Sequence, residues 1–340
     1  MTEKQNYLML LRGEQPGWIP HYPQYANYKT PFVKPLTVKR VSPSFLSQHI
    51  LEPGPTKDIW GNTYLPDAMS GNSKTPDPNN NILKDIRQWR DVVKAPDLSQ
   101  IDWETMAKKD FEAAEVDRED TAISFGLFMG YFQLLAAFMG FEGALCAMYE
   151  EPDEVKALLE YLCEFYVGLA EKCIDYYKPD IFSIGDDNAT LINPFFSLNM
   201  YRDLFKPFVM KQVKTGHDRG LPVEMHCCGR CEDFIEDWMD YGVVSWNPGQ
   251  TSNDLLAIKK KYGKRFVING GWDQQLRLLR EDATEDMIKE AVYTAIKTYA
   301  PGGAYAFCGV FLGPVDDEMT HRKNRWIAEA VDTFGRSFYS

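Results

Sequence analysis

From Thr121 onward, apolar residues fall into two alternating patterns. Short, nearly continuous apolar runs predict buried strands at 121–128 (TAISFGLF), 179–187 (PDIFSIGDD), 221–229 (LPVEMHCCG), 243–249 (VVSWNPG), 265–273 (RFVINGGWD) and 304–311 (AYAFCGVF). Between them lie stretches with helical periodicity, at 152–177, 197–220, 231–242, 252–263, 284–302 and 316–335. Strands buried on both faces and separated by helices of this length form βαβ units, so the class is α/β with a parallel sheet. No G-x-G-x-x-G follows the first strand, which weakens a dinucleotide-binding open sheet and favours a (β/α)8 TIM barrel.

The first hundred residues lack this rhythm. Breakers crowd EPGPTKDIWGNTYLPDAMSGNSKTPDPNNN (52–81), yet aromatics recur at Trp18, Tyr22, Tyr25, Tyr28, Phe32, Trp60 and Tyr64. The aromatics argue for order. The expectation is one barrel domain over residues 1–340, with 1–110 as an aromatic-rich N-terminal cap and loop region.

Charge and composition narrow the function. A net charge of -12 argues against a nucleic-acid surface, which needs a basic face. The longest apolar stretch, GLFMGYFQLLAAFMGF, is punctuated by glycine, and no membrane span is expected. The N-terminus has no basic start and no h-region of a signal peptide. Seven irregularly spaced cysteines suit a reducing compartment, so the expected location is the cytoplasm.

In either α/β architecture the working residues sit at the C-terminal ends of the strands. Those ends carry Asp186, Asp187 and Asn188, then His226 and Cys228, then Trp246 and Asn247, then Asn269, Trp272 and Asp273, and finally Cys308. Side chains alternate along a strand, so Glu224, His226 and Cys228 share one face. In a barrel Cys308 would approach them over the mouth. One imidazole and two thiolates make a three-ligand zinc site with a fourth position for water, substrate or Glu224, a catalytic pattern. A redox pair at Cys228 and Cys231 is a second reading, and plain buried thiols are a third. A zinc ribbon would need a second C-x-x-C, which is absent. The residues alone leave the metal site and the buried thiols both open.

At this point the sequence resembles the uroporphyrinogen decarboxylase superfamily, and within it the corrinoid-dependent methyltransferase branch. That branch carries H-x-C, a long gap, then C, which maps onto His226, Cys228 and Cys308. DIFSIGDDNAT, LPVEMHCCG, YGKRFVINGGWD and RKNRWIAEAVDTFG stand in the family's order, and the resemblance covers roughly 122–335. The decarboxylase itself grips a polyanionic tetrapyrrole with an arginine-rich N-terminal loop. Here WIPHYPQYANYKTPFVKP offers aromatics, Lys29 and Lys34, and no arginine pair.

The resemblance implies zinc held by His226, Cys228 and Cys308, with Glu224 as a further group. It implies methyl transfer either from a small substrate to cob(I)alamin or from methylcob(III)alamin to a thiol. The chain has no D-x-H-x-x-G corrinoid signature, so the corrinoid is expected on a partner protein. Asp186 and Asp187 are candidate catalytic groups beside Glu224. Tyr22, Tyr25, Trp60, Asn188, Asn247 and Trp272 are candidate substrate contacts for a small substrate such as a methoxylated aromatic. A metal-free decarboxylase-like enzyme and a non-catalytic corrinoid- or metal-binding accessory protein are the alternatives.

Overall fold

The computed structural model describes residues 1–22, 36–68, 73–127, 130–272 and 276–339. Six predicted runs become strands β5 (Ala122–Leu127), β6 (Ile181–Gly185), β7 (Val223–His226), β8 (Val243–Gly249), β9 (Val267–Gly271) and β10 (Tyr305–Cys308). A seventh parallel strand, β1 (Val38–Arg40), pairs with β5, giving the order β1-β5-β6-β7-β8-β9-β10. At the free edge of β10, His21 makes a parallel bridge to Phe307. The Tyr22 N–H donates to Phe307 O at 2.7 Å, and the Phe307 N–H donates to Pro20 O at 2.9 Å. The result is a TIM-barrel-like α/β fold in which the segment at His21 takes the place of an eighth strand.

The N-terminal segment therefore supplies part of the barrel wall. It also holds a separate antiparallel sheet of β2 (Thr56–Lys57), β3 (Thr63–Asp67) and β4 (Ser73–Pro76). The proline and glycine content masked these short strands in the sequence.

The helix Glu3–Leu11 closes the N-terminal end of the barrel. Thr2 and Gln5 form a capping box that fixes its start. Lys4 reaches Asp180 at 2.8 Å, and its N–H donates to Asp120 O, both residues lying just ahead of barrel strands. Tyr7, Leu10 and Leu11 then pack inward with Val38, Ala122, Ile181, Val267 and Ala306. Outside the sheet, the long helix Pro152–Tyr177 buries its apolar stripe, including Leu158, Leu162 and Leu169. Among the described residues no single helix is long and apolar enough to cross a membrane.

Alternation along the strands gives the barrel interior a polar middle. Ser183, Glu224, Ser245 and Asn269 are buried there, one from each of β6 to β9. Higher up, Gly185 lets β6 pass close to β7, since a Cβ there would lie 3.1 Å from His226 Cβ.

Candidate metal centre

Two neighbouring strand ends build the centre. His226 ends β7 and Cys228 follows two residues later, while Asp187 leaves the end of β6. His226 Nε2 lies 3.7 Å from Cys228 Sγ and 3.8 Å from Asp187 Oδ1. One ligand atom from each of the three residues falls within 4.8 Å of the other two. The Cys228 backbone N–H donates to Asp187 Oδ1 at 2.7 Å, and Gln133 Nε2 donates to Oδ2 at 3.2 Å. Gly229, at φ +90°, makes the turn possible: a Cβ there would meet the carbonyl oxygens of Ala189 and Thr190 at 2.5 Å.

Behind this trio stands a hydrogen-bonded frame. His226 Nδ1 lies 2.7 Å from Asn247 Oδ1, and Asn247 Nδ2 lies 3.4 Å from the Tyr22 hydroxyl. Tyr22 donates to Glu224 Oε1 in a short bond. Ser183 also donates to Oε1, at 3.2 Å, while Tyr7 and Asn269 Nδ2 reach Oε2 at 3.1 Å and Ser245 at 3.4 Å. Burial raises the Glu224 pKa, opposed by the Tyr22 hydrogen bond, the Arg40 charge and the Tyr7 and Ser183 hydroxyls. Burial in turn pushes Arg40 down to about 10, against the pull of Tyr22 and Glu224.

The thiols feel their surroundings too. Burial and the nearby Asp187 charge push Cys228 well up, and burial with Glu224 does the same to Cys308. Without a cation both sulfurs hold their protons at neutral pH. An imidazole, a carboxylate and a thiol, with a second thiol nearby, make a donor set whose negative charge a dication would stabilise.

The structure redistributes the roles expected from sequence. Asp187 joins His226 and Cys228 directly. Cys308 is buried at the end of β10, within electrostatic reach of Cys228 and Glu224, but outside the tight trio. Asp186 turns away to hold a helix start: its oxygens accept from the N–H groups of Phe132 and Gln133, each at 3.0 Å. Burial lifts Asp186 to about 7, opposed by those two N–H groups. A side chain at Gly130 would collide with it at 2.1 Å. Glu224 is saturated by the interior frame and does not join the trio, and Asn247 orients His226.

Among the expected substrate contacts, Trp60 is not brought to the centre. Its ring packs edge-on against Phe138, Phe165 and Tyr166, and its Nε1 donates to the Tyr166 hydroxyl at 3.1 Å. Tyr22 is part of the interior frame. Asn188 and Trp272 are buried beside strand ends, and Asn188 Oδ1 and Trp272 Nε1 have no hydrogen-bond partner among the described residues. Tyr25, Lys29, Lys34, Asp273 and Gln274 lie outside the described residues. Tyr7, Arg40, Ser183 and Ser245 were missed in the sequence, while Asn269, read as a strand-end residue, belongs to the interior frame. For Ser183 and Ser245 the signal was a polar residue on the inward phase of an apolar strand run, read at Glu224 and not at these neighbours; Tyr7 and Arg40 carried no such signal.

Comparison with known proteins fits this fold. The family model for uroporphyrinogen decarboxylase (URO-D) matches residues 70–310, and the chain belongs to that family. A methyltransferase from Methanosarcina mazei superposes with a TM-score of 0.68 at 15% identity, covering 100% of both chains. A B12-independent methionine synthase from Shewanella sp. W3-18-1 has a TM-score of 0.45 at 10% identity, covering 80% of this chain and 74% of the other. A comparison with curated proteins finds no match.

Proposed function

We propose that the protein is a zinc-dependent, corrinoid-linked methyltransferase. It moves a methyl group between a small substrate, such as a methoxylated aromatic or a thiol, and the cobalt of a corrinoid carried by a partner protein. The observation that carries this reading is the convergence of His226 Nε2, Cys228 Sγ and the Asp187 carboxylate at the C-terminal end of the barrel. Imidazole and thiolate favour zinc over magnesium or calcium. The printed name of the Methanosarcina structure, a methyltransferase, points the same way.

His226 and Cys228 would hold the metal, with Asp187 or Cys308 completing the set. Bound zinc would stabilise negative charge on a leaving oxygen or sulfur, or keep an acceptor thiol ionised near neutral pH. The chain's own residues do the rest. Asn247 holds the His226 ring, and Asp187 pins the turn at Cys228. The decarboxylase alternative gains little, because the buried Arg40 charge lies beside Glu224 and Tyr22. A buried cation already matched by a carboxylate is a poor anchor for a polyanion.

The test is zinc content by mass spectrometry of the wild type beside His226→Ala, Cys228→Ser, Asp187→Asn and Cys308→Ser, followed by optical assay of methyl transfer to cob(I)alamin. Near-stoichiometric zinc lost in the His226 and Cys228 variants supports the reading, and the other two variants name the third ligand. A zinc-free wild type that cannot be loaded would sink it.

A further inference from the structure

The hydrogen bonds between Glu224 and His226 have a direction, and we infer that this direction selects which nitrogen of His226 faces the centre. The inference rests on the metal-site reading for its purpose, though not for its geometry. Glu224 receives donors from Tyr22, Ser183, Ser245 and Asn269, while Tyr7 shares its one proton between Glu224 Oε2 and Asn269 Oδ1; donors on both oxygens suit a carboxylate acting only as acceptor. Tyr22 therefore spends its single hydroxyl proton on Glu224. Its oxygen can then only accept from Asn247, which fixes the amide with Nδ2 toward Tyr22 at 3.4 Å. Asn247 Oδ1 consequently faces His226 Nδ1 at 2.7 Å, and an amide oxygen can only accept. The His226 proton sits on Nδ1, and Nε2 carries the lone pair toward Cys228 Sγ and Asp187 Oδ1.

Asn247 is thus a positioning residue, with Tyr22 and Glu224 setting its orientation. A ligating histidine commonly donates its other N–H to such a partner, and loss of the partner weakens metal binding roughly 10–100-fold. Here the acceptor is an amide, which could face either way. The relay from the barrel floor removes that ambiguity. It also gives the interior carboxylate a function at a site it does not touch.

Nitrogen-15 NMR of histidine-labelled, metal-free protein, at a pH where the rings are neutral, tests this directly. The chain has five histidines, and His226→Ala assigns the signal. The wild type is expected to show His226 protonated on Nδ1; protonation on Nε2 overturns the inference without any variant. Asn247→Leu should move the proton to Nε2 and weaken zinc binding about 10–100-fold, whereas Asn247→Asp, which still accepts, should keep it on Nδ1. Glu224→Gln, whose amide can donate to Tyr22, should populate the Nε2–H form. An unchanged tautomer in Asn247→Leu or Glu224→Gln would remove the corresponding link of the relay. Zinc uptake by the same wild-type preparation, measured after the NMR by adding zinc back, separates the two readings. An Nδ1 proton without metal binding leaves the relay standing and sinks the methyltransferase, while metal binding with an Nε2 proton does the reverse.

Discussion

Asp187 Oδ1 accepts the backbone N–H of Cys228 at 2.7 Å and faces His226 Nε2 at 3.8 Å. One carboxylate from β6 thereby shapes the turn that carries a thiol from β7 and stands beside the imidazole of the same strand. Its structural and chemical tasks can be separated. Asp187→Asn keeps an oxygen for the Cys228 N–H and loses the charge, so it should unfold within about 1 kcal/mol of wild type in urea while its zinc content falls. Asp187→Ala loses both and should cost about 1–3 kcal/mol as well, because the Cys228 N–H is left without its acceptor.

Glu224 and Arg40 share the barrel interior, and removing one charge leaves the other stranded. Glu224→Ala should cost about 3–5 kcal/mol in equilibrium denaturation. Glu224→Gln keeps the shape and several hydrogen bonds and should cost clearly less. Equal losses in the two variants would mean that the charge alone, and not the shape or the remaining hydrogen bonds, carries the contribution of Glu224.

Trp60 tests the cap. Its ring is enclosed by Phe138, Phe165 and Tyr166, so Trp60→Ala should destabilise the protein by about 3–5 kcal/mol through the cavity it leaves. Zinc content of the folded fraction should be unchanged. A variant of wild-type stability with altered substrate selectivity would restore Trp60 to the substrate pocket.

His21 sets an acid limb. It is half-buried, but its Nε2 is enclosed, and burial pushes its pKa down from 6.5 to about 4 despite the charge of Asp332. The unfolded chain binds the proton first, so the contribution is fully present above pH 6.5 and is lost as pH falls toward 4. The loss amounts to at most about 3 kcal/mol. His21→Phe should flatten stability over that window in urea titrations at stepped pH, and an unchanged slope would reject the assignment.

The barrel was legible because its signal is local. Continuous apolar runs such as DIFSIG and YAFC can be buried on both faces only in a sheet covered by helices, and six of the strands were placed from that pattern. Val38–Arg40 was not, since three residues among prolines carry too little periodicity, and its partner Ala122–Ser124 lies far along the chain. The same distance hid Arg40 and Tyr7, which meet Glu224 only when the barrel closes and the N-terminal helix plugs it.

His226 and Cys228 were named together from the sequence by strand alternation, yet β7 ends at His226, and the turn held by Asp187 and Gly229 is what keeps Cys228 beside it. Which residues stand beside them was not set by the sequence alone. Asp186 and Asp187 are adjacent and chemically identical, yet one caps a helix start and the other reaches the centre, because neighbouring residues at a strand end diverge. Asn247, equally plausible in sequence as a substrate contact, was assigned to His226 by the register between β7 and β8. Local periodicity specifies faces and elements. Distances between strand ends, and the direction of the hydrogen bonds joining them, exist only once the sheet has curled.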